Sequence, residues 1–451
     1  MIPYRVRRSK HWLFLFLASL ITNWSVAQQR HELSAKQAAD YALKNSVQVQ
    51  NALTDIKIQL QTNRDITSAA LPQVNGYVSG TKFIDIPTQL IPGEVFGGQP
   101  GTFIPVQFGT NYNATYGADL QQLLFDGQVF VGLQARDASI EYATNNAGIT
   151  QEAIKANIYK IYYQLVVGNK QAQLIDINIT RTEKLLHDTR ELFKNGFQEQ
   201  LDVDKVSVNL SNLKTEKVRI SNKLKTGNVA LKYLMGMPVK DELVLTDTLN
   251  ETTIKSDLLP ADSVVFSDRK EYQTLQSIEK LNKYNIKRYQ LGYLPTVSFN
   301  ASYSQNAQRN SFNFFKSGQP WFKNTYIGLR IDVPIFDGLS KDAKIKTARL
   351  ELQKTQNNLE GLKNNILAET DTARISLANA LYTMDTQREN MELAERVYNQ
   401  TKLKYEQGLG SNLEVTNAEA DLKTAQNNYF ASLYDAVVAR IDYLRAAGRL
   451  P

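Results

Sequence analysis

Apolar side chains recur every seven residues over long proline-free runs of this chain. One column reads Leu133, Ile140, Ala147, Ile154 and Ile161, and a second reads Ile158, Leu165, Ala172, Ile179, Leu186 and Phe193. The pattern returns further on as Ile345, Leu352, Leu359, Ile366, Ala373 and Ala380, with Leu377, Met384, Met391, Tyr398 and Tyr405 beside it. Sustained seven-residue spacing predicts helices wound on neighbours as coiled coils. The runs 128–195 and 340–407 would each form a helix roughly 100 Å long. A compact domain of this size is only some 40–50 Å across, so the helices must project from it. Shorter helices are predicted over about 201–235 and 412–447, after tips at Gly196 and Gly408. Two more, about 34–70 and 265–292, precede Pro72 and Pro295.

A period of two separates these helices. Val297, Phe299, Ala301 and Tyr303 alternate with Ser298, Asn300, Ser302 and Ser304, and Ile327, Leu329, Ile331 and Val333 alternate with polar neighbours. Tyr112, Ala114, Tyr116, Ala118 and Leu120 do the same, and 74–84 makes a fourth, less regular strand. One apolar and one polar face per strand suits a membrane barrel wall, with lipid outside and water inside. It also suits a half-buried soluble sheet. Aromatics near the strand ends (Phe103, Phe108, Phe312, Phe314, Phe315, Trp321, Phe322) fit an interfacial girdle. Four strands cannot close a barrel, and open edges cannot face lipid. Strands that cross a membrane therefore need sister chains, and three chains would give twelve strands.

The chain is written twice. Leu71-Pro72-Gln73-Val74 returns as Leu294-Pro295-Thr296-Val297, and Leu124-Phe125-Asp126-Gly127 as Ile335-Phe336-Asp337-Gly338. Phe193-x-x-Gly196 followed by Leu201-Asp202-Val203 returns as Tyr405-x-x-Gly408 followed by Leu413-Glu414-Val415. Three ordered matches at similar offsets define an internal repeat. The first copy, 28–235, carries a hairpin at 74–125, and the second, 263–451, carries one at 297–336. A linker, 236–262, joins them. The first copy's extra residues fall in a Pro/Gly-rich stretch, 87–109, expected to be a surface loop.

The N-terminus is an address. Arg5, Arg7, Arg8 and Lys10 precede the apolar run Trp12 to Ile21, and Ser25-Val26-Ala27 supplies small residues for cleavage. Residues 1–27 read as a secretory signal peptide, too short to span a membrane. Export counts against chemistry that needs ATP or reduced nicotinamides.

Composition then prunes the remaining classes. The 451 residues carry 52 Lys+Arg against 45 Asp+Glu. Four of the basic residues lie in the leader, and the rest are spread too evenly to argue for nucleic acid. No later stretch approaches the roughly 20 apolar residues of a membrane helix. The absence of Cys excludes disulfides, Cys-based zinc, iron–sulfur clusters and thiol catalysis. His31 and His187 are the only histidines after the leader, and no HExxH, nucleophile elbow or phosphate loop is present. The reading is therefore not an enzyme, with no cofactor, no metal site and no catalytic residue.

The layout resembles the TolC-like outer-membrane efflux proteins, also called outer membrane factors, over essentially the whole mature chain. The strand-opening Leu71-Pro72 and Tyr293-Leu294-Pro295, the strand-closing Phe125-Asp126-Gly127 and Phe336-Asp337-Gly338, and the two tips carry the resemblance. Leu33-Ser34-x-x-Gln37-Ala38-x-x-Tyr41-Ala42-Leu43-x-Asn45 also resembles the family's first helix. The resemblance implies a mainly α fold with a small β part. A homotrimer would form a twelve-strand barrel in outer-membrane lipid, continued by an α-helical tunnel across the periplasm. It implies an exit duct for efflux or type I secretion, working with a periplasmic adaptor (membrane fusion) protein and an inner-membrane pump. In the family the coiled-coil tips close the periplasmic mouth. Asp202, Tyr405 and Glu414 match tip positions credited there with gating or cation attraction, and Gly196 and Gly408 mark the tips themselves. Asn417 stands where some members carry a second acid, and Gly410 where some carry an Arg tether. Helix capping and dipole matching account for Asp202 and Glu414 equally well. A soluble periplasmic coiled-coil adaptor or scaffold is the alternative. It would explain the heptads but not four amphipathic strands placed between helices.

Overall fold

The computed structural model describes residues 29–249, 251–255 and 264–451. The expected signal peptide, 1–27, and part of the expected linker lie outside the described residues. The chain opens with a short strand β1 (Arg30–Leu33) and helices α1 (Ala35–Asn45) and α2 (Val47–Ser68). Strands β2 (Gln73–Lys82), β3 (Thr88–Pro92), β4 (Phe103–Gln107) and β5 (Tyr112–Phe125) follow. A short helix α3 (Gly127–Gln134) leads into the long α4 (Arg136–Lys194), which turns back as α5 (Gln200–Met235). After β6 (Glu242–Leu245) and α6 (Glu251–Lys255), the second copy repeats the plan. It runs α7 (Lys270–Leu291), β7 (Thr296–Arg309), β8 (Phe322–Asp332), α8 (Ser340–Glu406) and α9 (Asn412–Ala446). At 1.5 Å per residue α4 is about 90 Å long and α8 about 100 Å.

Two buried clusters sit at different heights along these helices. The first lies where α1 crosses the long helices. Ala35, Ala38, Ala39 and Ala42 form a methyl-only stripe on α1, so its backbone packs close to α4. Ile154, Ile158, Tyr162, Leu231, Met235 and Met384 complete this core. Ser34 caps α1, with Gln37 reaching back to the Ser34 N–H in a capping box. Here β1, at the start of the first copy, forms a parallel pair with β6 in the segment that follows it. Tyr162 holds that junction, donating to the Leu33 carbonyl at 2.9 Å and accepting the Asp247 N–H at 3.0 Å. The second cluster, near the tips, contains Leu185, Val206, Leu210, Tyr398, Val415 and Leu422.

The helix expected over 34–70 is two helices. Ser46 leaves helical geometry, and the Asn45 carbonyl meets the left-handed Gly236 that ends α5. The run expected over 128–195 is also interrupted, at Ala135. Arg136 donates to the Leu133 carbonyl at 2.9 Å, and Asn63 donates to the Arg136 carbonyl at 3.1 Å. Side chains entering the carbonyl ladder in this way kink a helix. The expected surface loop 87–109 contains the β3–β4 ribbon, whose prolines, Pro92 and Pro105, a two-stranded edge tolerates. The linker contains β6, too short and too distant from its partner β1 to be read from periodicity.

Candidate functional site

The first candidate surface is the sheet β2-β5-β7-β8, antiparallel throughout. Its register sorts side chains by polarity. Val74 pairs with Leu120, which pairs with Ala301, which pairs with Ile327. Asn75, Asp119, Ser302 and Tyr326 form the adjacent row on the opposite face. Residues two apart share a face, so the whole sheet has one apolar and one polar side. Val78 is 86% exposed and Ile327 75% exposed, while Ser302 and Ser304 are buried. The sheet therefore curls around its polar face and turns its apolar face outward. A soluble sheet does the reverse.

At the end of the sheet remote from the helices, Tyr112, Tyr116, Phe312, Phe314, Phe315 and Trp321 stack edge to face. Tyr116 lies 5.0 Å from Trp321 and Tyr112 lies 5.9 Å from Phe312. Amphipathic rings gathered at the edge of an apolar band are suited to a membrane–water boundary. β5 and β7, at 14 residues each, are long enough to cross about 30 Å of hydrocarbon while tilted. The outer strands β2 and β8 each pair on one side only, leaving a row of free backbone donors and acceptors.

The second candidate surface is the pair of tips, which match bond for bond. Gly196 (φ +78°) donates to the Phe193 carbonyl and Phe197 to that of Leu192. Gly408 (φ +73°) donates to Tyr405 and Leu409 to Lys404. These are Schellman caps, and glycine is needed at each for its backbone angle, since a Cβ there would meet nothing within 4 Å. Asp202 and Glu414 are each the third residue of their helix. Ser411 accepts the Glu414 N–H at 3.2 Å, and Glu414 faces solvent. Asp202 lies 3.8 Å from Lys205, and its carbonyl accepts from Asn412 at 3.3 Å, tying one tip to the other. Tyr405 is buried in the tip core, and its hydroxyl has no partner among the described residues.

Periodicity pointed past one further residue. Asn412, Glu419, Gln426 and Leu433 form a seven-residue column on α9, polar in its first three members. That interruption was the available signal. Glu419 lies half-buried among α4, α5 and α8, and this burial raises its carboxyl above the ordinary carboxylate range. Its Oε1 lies 2.5 Å from Thr182 Oγ1, and its Oε2 accepts from Asn209 at 2.7 Å. One layer away Asn178 donates to Gln426 at 2.8 Å. Burial also pushes the Tyr398 phenol up to about 12. A cavity of about 720 Å³ opens beside these groups.

Residues 279–449 match the family model described as outer membrane efflux protein. Among curated relatives, the proteases secretion protein PrtF of Dickeya chrysanthemi is 20% identical over 302 residues, covering 66% of this chain and 64% of that protein. The alkaline protease secretion protein AprF of Pseudomonas aeruginosa is 19% identical over 442 residues, covering 96% and 87%. Among solved structures, CusC superposes with a TM-score of 0.74 at 17% identity over 95% of each chain. The outer membrane protein VceC of Vibrio cholerae gives 0.70 at 16% identity, over 92% of this chain and 96% of that one.

Proposed function

We propose that this chain, which has the TolC-like outer-membrane factor fold and carries the outer membrane efflux protein pattern in its second half, is one third of a passive exit duct. The observation that carries this reading is the sheet, with its apolar side turned outward and both edge strands unpaired. Because four antiparallel strands alternate in direction, β2 and β8 run opposite ways. The β8 of one copy can therefore pair antiparallel with the β2 of the next. Three copies close the ring into a twelve-strand barrel with no edge facing lipid. A head-to-tail contact that closes in this way gives a cyclic homotrimer.

The barrel crosses the outer membrane, and the helices continue it as a tunnel into the periplasm. Such a duct needs a dry outside, a wet bore and a closable end, but no reacting group. Energy comes from an inner-membrane pump, and a periplasmic adaptor docks the two. PrtF and AprF are protease secretion proteins by name, which supports protein export as one cargo class; the match to the outer membrane efflux protein model supports efflux as another role.

At the periplasmic mouth Asp202 and Glu414 place two carboxylates per chain, six in the trimer. A ring of acids at a constriction attracts cations and slows anions. In planar bilayers the wild-type protein is expected to conduct with a cation preference. The Asp202→Ala/Glu414→Ala protein should conduct with that preference reduced by about half or more. An unchanged preference would assign both acids to helix capping alone, at about 1 kcal/mol each. A wild-type protein that never conducts would remove the duct itself.

A further inference from the structure

The tip of each chain is two helical hairpins, α4–α5 and α8–α9, and a polar layer runs between them. Glu419 on α9 reaches Thr182 on α4 and Asn209 on α5, so one carboxyl joins both hairpins. Thr182 has a single hydroxyl proton. Its Oγ1 lies 2.9 Å from the Asn178 carbonyl, the usual back-bond of a helical threonine, and 2.5 Å from Glu419 Oε1. One proton cannot serve both acceptors. An ionised Glu419 would set two lone pairs against each other unless Thr182 gave up its back-bond. A neutral Glu419 donates its own proton to Thr182 Oγ1 and still accepts from Asn209 through Oε2, leaving all three groups satisfied.

We propose that Glu419 is held as a neutral carboxylic acid in the closed tip, and that its ionisation releases the α8–α9 hairpin from the α4–α5 hairpin. The latch rests on the duct reading, in which parting of the tips opens the mouth.

The charged groups around it have other partners, although Arg181 Nη1 is buried with none among the described residues. Arg181 on α4 pairs with Glu395 on α8 at 3.2 Å. Lys423 on α9 sits on Glu216 of α5, and Lys205 of α5 lies near Asp202. Asp204 on α5 shares the cavity and adds negative charge, and Tyr398 faces it from α8 as a neutral phenol. Arg181 and Lys423 both pull the Glu419 carboxyl down, as do its hydrogen bonds, and burial outweighs them. Inside the closed tip the acid keeps its proton to a higher pH than it would in water. Opening admits water through the adjoining cavity and returns the acid to its ordinary range. The closed tip therefore binds the proton more tightly. It is favoured at low pH and loses that advantage as pH rises through the elevated value.

The test is conductance of the purified full-length protein in planar bilayers between about pH 5 and about pH 8. Wild-type conductance is expected to rise about fivefold across this range. Glu419→Gln, which copies the neutral acid and keeps both hydrogen bonds, should stay at the low level at every pH. Thr182→Val, which removes the acceptor for the acid's proton, should shift the rise to lower pH. Persistence of the wild-type pH response in Glu419→Gln overturns the latch while leaving the duct intact. A wild-type protein that conducts at no pH overturns the duct and the latch with it.

Discussion

Replacing Ile327 by arginine is expected to keep the chain out of the outer membrane while its helices remain folded. Ile327 lies in the middle of β8, is 75% exposed, and stands opposite Ala301 on the apolar face. In a barrel that face meets lipid. An arginine near the bilayer midplane costs about 2–4 kcal/mol per copy. A trimer carries three copies, for a total of about 6–12 kcal/mol, comparable to the whole net stability of an ordinary domain. The two helical cores lie away from the sheet and should be spared. The check is membrane fractionation together with circular dichroism. The variant should be lost from the outer-membrane fraction at unchanged helix content. Asn324→Arg, three residues earlier on the polar face, should insert normally. An Ile327→Arg protein that inserts like wild type would mean that this face does not meet lipid.

The second large effect is expected at Gly236. This residue ends α5 with φ +72°, and a Cβ there would stand 2.2 Å from the Asn45 oxygen and 2.6 Å from the Asn45 carbonyl carbon. Both atoms are backbone at the α1–α2 break and cannot step aside by changing rotamer. Gly236→Ala therefore combines left-handed strain of about 1 kcal/mol with a displacement of α1 from the long helices. That displacement opens the alanine-lined core at Ala38, Ala42, Leu231 and Met235. A loss of about 4 kcal/mol or more is expected, in the range of severe packing defects. Gly408→Ala provides the contrast. It shares the backbone angle but has empty space around it, so about 1 kcal/mol is expected. Urea denaturation followed by circular dichroism reads both. Equal effects at the two positions would show that the Asn45 contact is unimportant.

These two sites also show what was legible in the chain. Ile327 could be read directly, because strict alternation over 326–333 assigns each side chain to a face and the register then keeps that assignment across four strands. The repeat was equally plain, and the duplicated tip motifs fold into duplicated caps. Gly236 was legible only as a break in the pattern, since its partner Asn45 is brought to it by tertiary packing. The β1–β6 pair was hidden for the same reason, being two four-residue strands joined across the whole first copy. At the tip, Tyr405 continues the apolar column through Leu377, Met384 and Tyr398 and is buried with it. Glu419 escaped notice because a single charge in a heptad reads as surface. Only the helices packed around it take it partly out of water.

The mass of the detergent-solubilised particle tests the account most directly. Four strands with two unpaired edges and an outward apolar face require sister chains, so the protein should be extracted only with detergent and should carry three chains per particle. A monomer that stays dissolved in plain buffer and shows no affinity for lipid vesicles would contradict the shared barrel and everything built on it.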